Sequence, residues 1–307
     1  MDRDQTNSSR YGGHMHHAQP GILAAVPRLA RYLTFTLQSG GDVRAALQAL
    51  RAVADGERCV VGLGESLLRA LGRPVDGLHA FPSYAAAGIE VPATPAALWC
   101  WLRGDDRGAL LHQGRAIESA LAPVLILSQA VDGFQYRASR DLTGYEDGTE
   151  NPQGDQAHAA ALVHGRGPGR DGSAYVAVQQ WVHDLDRFEA LPAAMQDHII
   201  GRRKSNNEEI GDAPPDAHVK RTAQESFQPA AFVLRRSMPW AEAGRAGLMF
   251  VAFGHSVSAF EVLLRRMVGE EDGIADALFR FTRPVSGAYY WCPPLGRDGL
   301  DLTLLGM

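Results

Sequence analysis

Asp141-Leu-Thr-Gly-Tyr-Glu-Asp-Gly-Thr-Glu-Asn-Pro152 is the stretch on which the reading of this chain turns. It sets a carboxylate, Asp147, in a tight turn flanked by Gly144 and Gly148, directly after a strand-like segment. Glycines at such positions let a backbone come close to another molecule. Taken alone, Asp-Gly and Asn-Pro are ordinary turn dipeptides. About seventy residues on, His218 follows the stiff pair Pro214-Pro215 in a loop. Arg235 lies in the next apolar segment, Phe232-Val-Leu-Arg-Arg-Ser-Met-Pro-Trp240. Strand neighbours point to opposite faces, so either Arg235 or Arg236 faces inward.

Working outward, Leu29 to Leu37 reads as a strand. After Gly40-Gly41, Asp42 to Val53 reads as a helix, with Asp42 as N-cap and Val43, Ala46, Leu47 and Leu50 on one face. Cys59 to Leu63 is a short strand, Gly64 to Leu71 a short helix, Ala97 to Arg103 a strand, Arg107 to Leu121 a helix and Val124 to Arg137 a long strand. The second half repeats the order. Ala174 to Val182 is a strand, and a helix pair surrounds Pro192. Ala231 to Arg236 and Leu248 to Phe253 are strands, Ser256 to Met267 is a helix and Ala288 to Trp291 a last strand. Two rounds of strand–helix–strand–strand–helix–strand predict an α+β protein of two domains, each an antiparallel sheet with helices on one face. Residues 1–20, polar and rich in Ser, Gly and His, are expected to be a disordered tail, with domains over 21–150 and 151–307. His14, His16 and His17 in that tail are a conceivable metal grip, though a solvated tail is the plainer reading.

The 307 residues are 45% hydrophobic, enough for a sizeable core. A net charge of -5 without a basic patch argues against nucleic acid. Three scattered cysteines, Cys59, Cys100 and Cys292, form neither a disulfide framework nor a zinc-ligand pair, and they fit a reducing compartment. No apolar run is long enough for a membrane span. Met1 to Arg10 is polar and leads into no apolar segment, so the expected location is the cytoplasm.

An acid, a histidine and an arginine suit peroxide cleavage at a haem. Iron needs an axial ligand, for which His is usual. A distal acid–base group must move one proton, and a fixed cation must stabilise the charge that develops. Three segments occur in order: Gly144-Tyr-Glu-Asp-Gly148; Ile200-Gly-Arg-Arg-Lys204 followed by Asp216-Ala-His-Val-Lys-Arg221; and Leu234-Arg-Arg-Ser-Met-Pro239 followed by Gly247-Leu-Met-Phe-Val-Ala-Phe253. From about Gly21 to Pro294 the chain resembles the dye-decolourising peroxidases, and among them the cytoplasmic bacterial subgroup.

The resemblance implies two ferredoxin-like domains with haem b held mainly by the second. It implies His218 as the proximal iron ligand, Asp147 as the distal acid–base residue and Arg235 as the distal cation. Ser237 stands where many members carry Asn, as a third candidate in the distal network. Leu248, Phe250 and Phe253 are expected to supply apolar haem-facing surface, and Arg202 or Arg203 to meet a propionate. Asp276 is the candidate carboxylate behind His218, with Glu270, Glu271 and Asp272 close in sequence. The implied reaction reduces H2O2 and oxidises small aromatic reductants, dyes and phenolics, in one-electron steps through a ferryl intermediate. Electrons from bulky dyes would pass through surface aromatics drawn from Trp181, Trp240, Tyr289, Tyr290 and Trp291. Glu150 with Glu208 or Glu209 offers oxygen ligands for Mn2+. A homo-oligomer is expected from the same resemblance. Two other readings use the same residues: a haem-handling or iron-releasing protein, and a peroxidase packed as cargo in a protein shell through the apolar segment from Leu300 to Met307.

Overall fold

The computed structural model describes residues 17–307. Eight strands carry its architecture: β1 (Leu29–Leu37), β2 (Cys59–Leu63), β3 (Leu98–Gly104), β4 (Leu125–Phe134), β5 (Ala174–His183), β6 (Met238–Glu242), β7 (Arg245–Gly254) and β8 (Ala288–Cys292). They hydrogen-bond in the order β8-β2-β3-β1-β4-β6-β7-β5, and β5 pairs with β8, closing a barrel. β5 pairs with β7 over nine residue pairs, from Tyr175 opposite Gly254 to His183 opposite Ala246. Among the described residues the two half-sheets are joined in the main ladder by Trp291 opposite Leu63 and by Gly133 opposite Trp240. Within each half the strands lie in the same order, fourth–first–third–second along the chain. The expected mixture of helices and antiparallel sheet is present, but the two sheets join edge to edge.

Alternation sorts each strand between two cores. On β3, Trp99 and Trp101 point into the barrel, while Leu98, Cys100 and Leu102 point outward. Tyr32, Trp99, Trp101, Phe253 and Tyr290 fill the barrel, with neighbouring rings 6.0–6.5 Å apart. Truncating one such buried aromatic to Ala typically costs about 3–5 kcal/mol. Because both faces of these strands are buried, Leu98-Trp-Cys-Trp-Leu102 reads as one apolar run.

On the outer face of the first half lie α1 (Val43–Val53) and α2 (Arg107–Leu121). Each starts where an Asp side chain can take up free N–H groups. Asp42 accepts from the amides of Arg44 and Ala45 at 2.9 and 3.1 Å, and Asp106 from that of Ala109 at 2.7 Å. Ala46, Leu47 and Leu50 of α1 are buried, with Leu110, Ile117 and Leu121 of α2. Leu300, Leu302 and Leu305 are buried in this same core. Leu304 and Met307 of the same segment pack against it while partly buried.

The folded part begins before Gly21. Gln19 is fully buried, donating to the carbonyls of Val61 and Pro293 and accepting from the Val61 amide. His14 and His16 lie outside the described residues. Of the expected strand Ala231 to Arg236, only Leu234–Arg235 pairs with β7. The reason is local: the Ala231 and Val233 amides donate to the backbone and side chain of Gln224, not to a strand neighbour. The strand that fills this place, β6, contains Pro239. Among the described residues no helix is long and apolar enough to cross a membrane.

Four further helices frame the site: α3 (Gly154–Ala161), α4 (Ala193–Ile200), α5 (His218–Arg221) and α6 (Ser258–Met267). α4 ends at Gly201 with φ +89°, a left-handed cap that glycine adopts without strain. A Cβ there would sit 2.2 Å from Val219 Cγ2, beside His218. Gly201→Ala is expected to lower stability by about 1–3 kcal/mol, read as a shift in the urea midpoint.

Candidate active site

A cavity of about 380 Å3 lies against the outer face of the second half-sheet, under α5 and α6. Its lining includes Asp147, Arg235, His218, Arg202, Leu248 and Phe250, residues far apart in sequence. Phe260, Leu263, Leu264 and Met267 of α6 supply an apolar wall, and Trp181 and Phe281 add rings.

His218 opens α5. Its side chain is 22% exposed, so it does not sit in an open loop. Nδ1 is 2.8 Å from Oδ2 of Asp276, whose side chain is fully buried. That bond leaves Nε2 as the free ring nitrogen. Asp276 Oδ1 accepts from the Leu278 amide at 2.9 Å, fixing the carboxylate's orientation. Its sequence neighbours are engaged elsewhere: Asp272 grips both Nη atoms of Arg221, Glu271 pairs with Arg266, and Glu270 faces Arg265. A ring pinned by a buried carboxylate is the arrangement that orients and strengthens a metal-binding imidazole.

Asp147 sits in a loop built by its own residues. Gly144 and Gly148 have φ +88° and +80°, as the turn requires. Asp141 Oδ1 accepts from the amide and hydroxyl of Thr143 at 2.8 and 2.6 Å. Asp141 Oδ2 lies 3.0 Å from Nε2 of His183, whose Nδ1 is 2.6 Å from Thr282 Oγ1. Burial pushes the Asp141 carboxyl up, but the His183 contact and the Thr143 bonds outweigh it and hold the group below the usual range. Arg235 Nη1 is 3.5 Å from Asp147 Oδ1, and both side chains are 21% exposed. Burial raises the Asp147 carboxyl above its ordinary range, with Asp141 adding to the shift and Arg235 and His218 opposing it.

Asn151 is a residue the sequence reading passed over. Its Oδ1 accepts from the Arg235 amide at 2.8 Å and its Nδ2 donates to the Arg235 carbonyl at 2.9 Å. The amide side chain thus acts as a strand partner and ties the Asp147 loop to Arg235. Nothing in one sequence marks this Asn apart from other turn residues. Asn151→Ala is expected to cost about 1–3 kcal/mol through the two lost bonds. Loosening Arg235 is expected to cut activity roughly tenfold, read as kcat/KM for peroxide.

Three expected residues lie elsewhere. Phe253 points into the barrel, against Trp99 and Trp101, because it has opposite parity to Leu248 and Phe250 on β7. It is not a cavity residue. Arg203 is exposed, whereas Arg202 lines the cavity and is 11% exposed. Ser237 accepts from the Val251 amide at 3.3 Å and lines an adjoining cavity. Arg202 Nη2 pairs with Glu150 at 2.5 Å and Glu209 at 3.3 Å, so these carboxylates face a guanidinium. Among the described residues no group of three or more His, Cys, Asp or Glu side chains is set to hold a metal ion. Trp181, Trp240, Tyr289, Tyr290 and Trp291 are all buried, so none is a surface aromatic.

Comparison with known proteins fits this geometry. Residues 138–297 match the family described as Dyp-type peroxidase, C-terminal. The dye-decolorizing peroxidase of Rhodococcus erythropolis is 31% identical over 292 residues, 89% of this chain and 85% of that protein. This chain belongs to the dye-decolourising peroxidase family. A second member, from Mycolicibacterium paratuberculosis, is 30% identical over 94% of this chain and 86% of its own length. Among solved structures, a Dyp-type peroxidase protein of Shewanella oneidensis superposes with a TM-score of 0.85 at 29% identity, covering 95% of this chain and 98% of the other. DyPB of Rhodococcus jostii RHA1 gives 0.81 at 28% identity, covering 89% and 94%. Variants of that protein have been solved in complex with heme.

Proposed function

We propose that this dye-decolourising peroxidase holds haem b in the 380 Å3 cavity, where His218 would hold its iron, and reduces H2O2 at the expense of small aromatic reductants. The observation that carries the reading is the convergence of His218, Asp147 and Arg235 on one cavity. The donor set fits the group. An imidazole keeps one nitrogen free while the other is pinned by Asp276, rings and aliphatic side chains wall the space, and a guanidinium, Arg202, offers a partner for a propionate.

When bound, haem supplies an iron that takes up peroxide and exchanges single electrons. The protein's part is proton transfer and charge stabilisation. Asp147, as carboxylate, accepts the proton from one peroxide oxygen and returns it to the other. Arg235 stabilises the negative charge that grows on the departing oxygen. Asp276 accepts from His218 Nδ1 and makes the ring a stronger ligand. In balance, H2O2 and two reductant molecules, each losing one hydrogen atom, give two waters and two radicals.

The strand order shared by the two halves supports a pair of ferredoxin-like units over 21–150 and 151–307, with residues 300–305 returning to pack on the first. Three buried free thiols support a cytoplasmic location. The test is direct. The haem-loaded protein should oxidise a small phenol only when H2O2 is present, at a rate proportional to bound haem. A protein that passes haem to an apo-acceptor but leaves phenol untouched would be a carrier.

A further inference from the structure

A second cavity, of about 440 Å3, adjoins the first and shares Asp147, Arg235 and Leu248 with it. H2O2 needs little of that space, since a single water takes up roughly 30 Å3. The charges on its wall are unequal. Arg140, Arg235 and Arg236 line it, against one carboxylate, Asp147. Arg235 faces Asp147 and Arg140 pairs with Glu146. Arg236 differs, because among the described residues no carboxylate pairs with it. Its nitrogens donate to the carbonyls of Ile22, Leu23 and Arg235. Three of a guanidinium's five N–H groups are then used, and its charge stays uncompensated. Apolar surface from Leu23, Val26 and Pro239 lies alongside, and Ala25, at the edge, is exposed.

The geometry points to this vestibule as a binding site for organic peroxides that carry a carboxylate. Arg236 would hold the carboxylate, the apolar wall would hold the body of the molecule, and the peroxide group would reach Asp147 and Arg235. This rests on the peroxidase reading of the first cavity and names a second class of oxidant for it. For a peroxy acid the O–O bond breaks. The carboxyl fragment leaves as the carboxylic acid. The remaining oxygen leaves as water. Two reductant molecules, the same that serve H2O2, each supply one electron and one proton and become radicals. Ser237 lines the vestibule beside Arg235, its hydroxyl accepting from the Val251 amide.

The test compares monoperoxyphthalate with H2O2 on the haem-loaded protein, and measures phthalate binding by calorimetry. Arg236→Gln should lower kcat/KM for monoperoxyphthalate at least tenfold more than kcat/KM for H2O2, which also falls because Arg236 donates to the Arg235 carbonyl, and should weaken phthalate binding at least tenfold. Arg236 also bonds the backbone near Ile22, so Ala25→Trp, which narrows the exposed edge, gives an independent check with the same expected split. Equal phthalate binding in wild type and both variants, or a parallel fall for both oxidants, would overturn the proposal. Failure of the wild type to use H2O2 would instead overturn the peroxidase reading, while phthalate binding would still report on the vestibule.

Discussion

Arg235→Leu should lower kcat/KM for H2O2 by about 10²–10³, the usual effect of removing one preorganised donor from a developing anion. Its guanidinium is 3.5 Å from the Asp147 carboxylate and 21% exposed, so it is already in place and largely shielded from water. Little reorganisation is needed when charge develops on peroxide. Water can relay a proton but cannot supply a fixed positive charge. Leu removes the charge and keeps similar bulk, so haem uptake should be preserved. The measurement is stopped-flow absorption of the haem-loaded variant mixed with peroxide. A wild-type rate would remove Arg235 from the chemistry.

Asp147→Asn should lower the same rate by about 10²-fold, at the low end for a general acid–base group, because a water can carry part of the proton transfer. The two variants should also differ in pH dependence. The groups that face Asp147 are Arg235, Asp141 and His218, and with burial they leave its carboxyl above the ordinary range. Catalysis needs the carboxylate. Wild-type activity should therefore fall with an acid limb above the usual carboxylate range, and that limb should be missing in Asp147→Asn. Stability follows the opposite sign. A raised folded-state value means that this group's favourable contribution is present at low pH and is lost as pH rises through the raised value. The Asn variant should accordingly not lose stability at neutral pH by losing this charge, and the comparison is a urea titration at neutral pH. An unchanged acid limb in the variant would assign the limb to another group.

Much of this site was legible in the sequence because its chemistry sits on distinctive residue types. A carboxylate between two turn glycines, a His after two prolines and an Arg near a strand end mark themselves. So do helices with an Asp N-cap and regular apolar spacing, as in α1 and α2. What stayed hidden was direction. β7 is buried on both faces, so its apolar run could not say that Phe250 faces the cavity and Phe253 the barrel. Arg202 and Arg203 are neighbours after a left-handed Gly201, and only the turn's course separates them. β6 was missed because Pro239 argues against a strand, and prolines survive there where the ladder is weakly paired. Asn151 and His183 act by bonding to partners 84 and 42 residues away, which local pattern does not reveal.

A haemin titration of the purified protein, followed at the Soret band for wild type and His218→Ala together, tests the central assignment most directly. The wild type should saturate at one haem per chain, with an iron–imidazole signature in the reduced state. His218→Ala should lose that signature and bind haem roughly 10–100-fold more weakly, an effect at least as large as that of losing a metal ligand's supporting partner. Identical spectra and affinities for the two proteins would contradict the account.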